Sequence, residues 1–239
     1  MTRNQNDIPC SIRQVFKSRR NHHNAEMMTE SLLDLGLRDY NEIWELQRRL
    51  VSQRANNQIP DTLILVEHPH VFTVGKAVPG KIPVSVNGVP VLRIERGGQW
   101  TYHGPGQLVG YPILDLNIRG RDIHRFLWNV EETLILTLDE FGIKAGRVEG
   151  VGKTGAWVGK RKIGSIGAAV RNWITFHGFA LNVNTDMSYF SMIEPCGMPS
   201  STMTSMKTEL SENVDFNRVK ERLSSRFEEV FHCKLTVEK

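Results

Sequence analysis

A lone thiol, a candidate lysine and runs of glycine give this chain the parts for acyl chemistry. Cys196 stands between Pro195 and Gly197. An ordinary thiol is only a few per cent thiolate at neutral pH, so a nucleophilic cysteine needs a cation or base beside it. Each pKa unit of lowering takes ~1.4 kcal/mol of preferential stabilisation of the thiolate. Proline stiffens the chain ahead of Cys196, and glycine behind it leaves the thiol approachable. Taken alone, the same residue fits a small buried hydrophobe equally well. The other cysteines, Cys10 and Cys233, are far away in sequence, and no C-x-x-C pair exists. A disulfide framework or zinc site is therefore not expected, and a reducing compartment fits best. Cys233 follows a helix-like segment and reads as packing.

Two glycine-rich blocks precede Cys196. Residues 96–107 contain four glycines among Arg96, Gln99, Trp100, Thr101, Tyr102, His103 and Gln107. Glycine allows positive φ and close approach to the backbone, so this stretch can wrap a ligand with main-chain N–H groups. It has no Gly-Lys-Ser/Thr ending and no G-x-G-x-x-G before a helix, so no nucleotide motif is present. The second block, residues 153–167, carries four basic residues. Gly159, Lys160 and Arg161 read as a hairpin turn. Strand alternation puts Lys160 and Lys162 on one face, with Lys160 in the turn. Lys162 is thus the candidate inward-pointing lysine. Further on, Phe179, Ala180 and Leu181 can line an acyl pocket or a core. His177 can be a base, a hydrogen-bond donor or a satisfied core histidine.

These residues need elements to hold them. Asp39 and Glu42 have capping-box spacing ahead of Ile43, Leu46, Leu50 and Val51. Asp122 and Asp215 can cap two more helices, with apolar stripes from Ile123 to Phe141 and from Phe216 to Val230; Gly142 stops the former. Strand-like runs cover residues 62–67, 71–74, 91–95, 108–116, 155–158, 162–170 and 174–182. Strands often follow one another without a helix between them. The expected class is therefore α/β (α+β), with one main mixed sheet flanked by helices.

The 239 residues carry a formal charge of +4, and much of the basic excess lies in residues 1–24. No basic stripe falls on a folded element, so nucleic-acid binding is not expected. No apolar run approaches the ~20 residues of a membrane span. Residues 1–30 read as a flexible tail and 31–239 as a single catalytic domain. The tail is Arg-rich and poor in acid, as mitochondrial transit peptides are. Cytoplasm is the expected compartment, with the mitochondrial matrix as the alternative.

The order of the motifs is more specific than any one of them. R-G-G-Q-x-T-Y-H-G-P-G-Q, T-G-A-W-V-G-x-R-K-I-G-S-I-G, H-G-x-A-L-N-V and P-C-G together resemble the lipoyl(octanoyl) transferases. The resemblance runs from about residue 35 to about residue 204. It implies the fold of biotin and lipoate protein ligases. It implies that Cys196 is the acyl-thioester nucleophile, and that Lys162 lowers the thiol pKa and acts as acid and base. Three segments would bind the acyl chain: Arg96, Gly97, Gly98, Gln99, Trp100, Thr101, Tyr102 and His103; then Ser165, Ile166 and Gly167; then Gly178, Phe179 and Ala180. Trp100 is bulkier than the residue expected at its variable position, which bears on chain length. The donor would be octanoyl-acyl carrier protein. Acceptors would be lipoyl domains of 2-oxoacid dehydrogenases and the glycine cleavage H protein. Neither ATP nor metal is expected, no membrane is involved, and the protein would be a monomer. A hydrolase using Cys196 with His103 or His177, an ATP-dependent ligase and a non-catalytic binder of acyl carrier or lipoyl domains are the competing readings.

Overall fold

The computed structural model describes residues 28–150, 152–195 and 197–238. Cys196, Cys10 and most of the N-terminal tail lie outside the described residues. The first strand, β1 (Met28–Leu37), begins within the 1–30 segment. Helix α1 (Tyr40–Ala55) follows, and Asp39 caps it by accepting from the amides of Asn41 and Glu42. The chain returns as β2 (Thr62–Glu67), parallel to β1. This is the crossover that a parallel pair requires.

β3 (Val71–Val74), β4 (Ser85–Val86), β5 (Val89–Arg93) and β6 (Trp100–His103) form a separate four-stranded sheet, ordered β4-β5-β3-β6. Residues 100–103 are therefore strand, paired antiparallel to β3, and not the open loop their glycine-rich setting suggests. β7 (Gln107–Ile113) re-enters the main sheet antiparallel to β2.

Helix α2 (Ile123–Asp139) is capped by Asp122, which accepts from the amide of Arg125. β8 (Gly155–Val158) and β9 (Arg161–Arg171) form the expected hairpin, with Val158 opposite Arg161 across the Gly159–Lys160 turn. β10 (Ile174–Asn182) pairs antiparallel to both β9 and β7. Two short 3-10 helices (Met187–Met192 and Ser200–Thr202), α3 (Met206–Leu210), the Asp215-capped α4 (Phe216–Phe231) and β11 (Cys233–Val237) complete the order. The main sheet reads β11-β1-β2-β7-β10-β9-β8 and is mixed.

Alternation assigns its two faces. Leu63, Leu65, Leu108 and Leu181 pack with Phe126, Val130 and Leu134 of α2 and Val219, Leu223 and Phe227 of α4. Ile64, Val66, Val109, Tyr111, Ile113 and Phe176 pack with Ile43, Leu50 and Val51 of α1. The apolar stripes of all three long helices are thus core faces. Cys233 is buried in the first of these cores, where burial raises its thiol pKa. It is packing, as its position after a helix suggested.

A buried ion cluster ties β1 to the loops beneath the sheet. Arg119 donates to Glu30 and, at 2.9 Å, to Asp61 Oδ2. Arg54 donates to Asp61 Oδ1 at 2.7 Å and lies 3.3 Å from Asp115. Charges this deep persist because each has a partner.

Candidate active site

Lys162 enters β9 directly after the β8–β9 turn. Its neighbours Lys160 and Arg161 are exposed, whereas Lys162 is 1% exposed. Such burial of a lysine demands compensation. Nζ lies 5.4 Å from the centre of the Trp157 ring and 3.4 Å from the carbonyl of Gly152. Gly155, at φ +144°, makes room for the stem: a Cβ there would lie 2.2 Å from Gly164 O and 2.8 Å from Lys162 Cε. Only glycine tolerates both that conformation and that approach.

The segments beside Cys196 meet the first glycine block. Pro195 bridges Trp100 in parallel-strand fashion. A Cβ on Gly197 would come within 2.8 Å of Gln99 Oε1. Gln99 and Trp100 therefore touch Gly197 and Pro195 and line a groove shared with Met192 and Ile193.

A cavity open to solvent on one side lies between this block and β9–β10. Arg96, Thr101, His103, Ser165, Ile166, Gly167, Gly178, Phe179 and Ala180 line it, as do Tyr40, Val109, Tyr111 and His177. Gly97, Gly98, Gln99, Trp100 and Tyr102 do not. Tyr102 points the other way, into the core of the small sheet, where its hydroxyl meets His70 Nδ1 at 2.7 Å. Gly97 instead pins the loop to β9, its amide donating to Ala168 O at 3.1 Å. Arg96 is buried and staples the same loop to β3, with Nη2 donating to Thr73 O at 2.8 Å and Nη1 to Gly97 O at 2.9 Å.

His103 is held by a buried relay. Gln107 Nε2 donates to Asn182 Oδ1 at 2.8 Å and to Tyr102 O at 3.1 Å. That fixes the amide orientation, so Gln107 Oε1 accepts from His103 Nδ1–H at 2.7 Å. His103 is thereby the Nδ1–H tautomer. Asn182 Nδ2 in turn donates to Thr204 O at 2.9 Å, and the Thr204 amide to Lys162 O at 3.0 Å. Side chains and main chain thus link the two blocks of the site. Burial lowers His103 to about 3, and the neighbouring His68 adds to the effect. Burial likewise lowers His68 to about 4. His68 Nε2 lies 2.9 Å from the hydroxyl of Tyr111.

His177 departs from the satisfied core histidine among its expected roles. It has φ +57°, unusual for a non-glycine residue in a strand, and Gly178 follows at +153°. Its ring lies beside Phe176 and Tyr111 at centroid distances of 4.9 and 6.4 Å. Simple alternation would send it to the opposite face. Neither ring nitrogen has a hydrogen-bond partner among the described residues. Burial lowers its pKa to about 4, so its 4.0 Å approach to Glu95 Oε2 is not an ion pair at neutral pH.

Tyr40, Tyr111 and Asn182 carried no sequence signal of their own as site residues, whereas Gln107 stood out only as one polar member of the first glycine block. Gln107 and Asn182 lie within recognisable motifs, but only their mutual hydrogen bond reveals their task. Among the described residues, no cluster of three or more His, Cys, Asp or Glu could hold a metal ion, and no helix is long and apolar enough to cross a membrane.

A mixed sheet with a partly apolar cavity between a glycine-rich segment and an antiparallel strand pair, and a buried lysine on one of those strands, is the layout of an acyl-handling α/β domain. Residues 39–228 match the lipoyl protein ligase A/B catalytic domain, and the chain belongs to that family. A protein of Geotalea uraniireducens named octanoyltransferase is 45% identical over 198 residues, covering 83% of this chain and 91% of its own. The bi-partite lipoate protein ligase of Thermoplasma acidophilum superposes with a TM-score of 0.63 at 18% identity, over 88% of this chain and 87% of that one. The biotin protein ligase of Aquifex aeolicus, solved with biotin and ATP, gives 0.52 at 12% identity, over 84% and 69%. The fold expected from the motifs is thus the fold observed.

Proposed function

We propose that this chain transfers an octanoyl group from octanoyl-acyl carrier protein to a lipoyl-domain lysine through a thioester on Cys196. Octanoyl transfer is the activity its curated relatives are named for, two of them at 45% identity over most of the chain. The observation that carries the mechanism is Lys162, a fully buried lysine three residues before cavity-lining Ser165. The neighbours of Cys196 support it, because Pro195 and Gly197 contact Trp100 and Gln99.

The Cys196 thiolate attacks the donor carbonyl, forming one carbon–sulfur bond as the carrier's thiolate leaves. The Lys162 ammonium favours the Cys196 thiolate, then supplies the proton that the departing thiol takes up. The acceptor's ε-amine next attacks the acyl-enzyme. The carbon–sulfur bond breaks, an amide forms, and Lys162 recovers a proton from the incoming amine. One thioester replaces another before the amide forms, so neither ATP nor metal is called for. Ser165, Ile166, Gly167, Gly178, Phe179 and Ala180 hold the chain on one wall, and Arg96, Thr101 and His103 form the other. The acceptors are lipoyl domains of 2-oxoacid dehydrogenases and the glycine cleavage H protein. The protein acts as a monomer in the cytoplasm, without nucleic acid or membrane.

Intact-mass measurement after mixing with octanoyl-acyl carrier protein tests this. The wild type gains one octanoyl group, Cys196→Ser gains none, Lys162→Met loads far more slowly, and ATP changes nothing. A wild type that gains no mass overturns the mechanism.

A further inference from the structure

The cavity does not end in hydrocarbon. β9 and β10 form one of its walls, with Ala180 opposite Ser165 and His177 opposite Ala168. At about 3.3 Å per residue, Ser165 lies about 10 Å along the strand from Lys162, and Ala168 about 20 Å. His177 therefore marks the end remote from Lys162. Its ring lines the cavity and is 1% exposed, yet both nitrogens lack a partner among the described residues. Gln47 of α1 meets it there. Gln47 Oε1 accepts from the His177 amide at 2.8 Å, which leaves the fully buried Nε2 of the same group equally unpartnered. Buried polar atoms are almost always hydrogen-bonded, so the two orphaned nitrogens of cavity-lining His177, with a third on the Gln47 side chain bonded to its main chain, call for a polar occupant. A neutral imidazole offers one donor and one acceptor, and the amide a further donor. That combination suits water and gives a methyl group nothing to replace it with.

We propose that His177 and Gln47 form a polar seat for a water molecule at the far end of the acyl cavity, and that this seat sets the upper limit of acyl chain length. The inference rests on the acyl-transfer reading above. A medium-length chain stops short of the seat and leaves the water bound. A longer chain must expel the water and press carbon against imidazole and amide groups, losing hydrogen bonds it cannot replace. Phe179 and Ala180, nearer Lys162, impose no such penalty.

The test is competitive loading of octanoyl-, decanoyl- and dodecanoyl-acyl carrier protein, read by intact mass. The wild type favours octanoyl over dodecanoyl by about tenfold or more. His177→Leu and Gln47→Leu each shrink that ratio by about tenfold, the size expected when one buried hydrogen-bonding group is removed from the path. His177→Asn retains a donor and an acceptor and keeps most of the preference. If the wild type loads octanoyl but the ratio is unchanged in Gln47→Leu and in a folded His177→Leu, the seat is refuted while the transfer mechanism stands. A wild type that loads all three lengths equally also refutes it. If His177→Leu does not fold, Gln47→Leu decides alone. A wild type with no adduct of any length overturns the transfer mechanism itself.

Discussion

Replacing Gln107 with leucine removes the centre of the buried relay at little cost in volume. Three groups lose their partner together: His103 Nδ1–H at 2.7 Å, Asn182 Oδ1 at 2.8 Å and Tyr102 O at 3.1 Å. Leucine fills the space but answers none of them. A buried polar group left unmade costs about 1–3 kcal/mol, and partial relaxation places the sum at about 3–6 kcal/mol. A domain of this size loses about 2–4 °C of Tm per kcal/mol, so Gln107→Leu should melt about 6–24 °C below the wild type. Differential scanning calorimetry reads this directly. The loss should exceed that of an apolar substitution in the α1 core, such as Ile43→Val, at about 1 kcal/mol. Gln107→Glu makes a second comparison. Its carboxylate still accepts from His103 but faces Asn182 Oδ1 and Tyr102 O with no proton to offer, and it raises the His103 pKa from about 3. A Gln107→Leu protein melting within about 2 °C of the wild type would show that the relay is not a structural tie, and the tautomer assigned to His103 would fall with it.

Acid should destabilise the fold in a defined window. His103, His68 and His177 are held at about 3, about 4 and about 4, chiefly by burial. Unfolded histidine titrates near 6.5, so between these values the unfolded chain binds protons that the native state refuses. Stability is therefore full above about pH 6.5 and falls as pH drops towards 4, by up to about 4 kcal/mol per pH unit if all three contribute. Urea midpoints at pH 7.5 and 5.5 should differ accordingly, and equal midpoints would contradict neutral buried rings. Gly155→Ala would strain a residue at φ +144° and push a methyl group against Gly164 O and Lys162 Cε. It should lose about 2 kcal/mol of stability and slow octanoyl loading; normal values for both in melting and intact-mass assays would refute the packing described for Lys162.

The helices and several strands were legible because their signals are local. Asp39, Asp122 and Asp215 cap helices whose apolar stripes recur every three or four residues. The strands at 62–67, 71–74, 155–158 and 174–182 match their apolar runs. β1, β6 and β11 were not read, since each owes its state to partners elsewhere in the chain. β6 looks like a glycine-flanked loop until β3 pairs with it, and β1 is set between β2 and β11.

The site divides along the same line. Alternation after a turn was enough to mark Lys162 as the inward lysine, and motif order was enough to name the family. What buries that lysine is tertiary: Gly155 yields space to its stem from the neighbouring strand, and Trp157 lies beneath its ammonium. Gln107 and Asn182 are 75 residues apart, and their hydrogen bond exists only because β7 and β10 are neighbours. His177 reaches the cavity through a positive φ that no side-chain pattern encodes. Sequence thus determined the chemical groups and the elements that carry them, because propensity and periodicity act over a few residues. Which polar groups are paired, stranded or aimed into the cavity was decided only when distant strands met, because desolvation acts on the assembled whole.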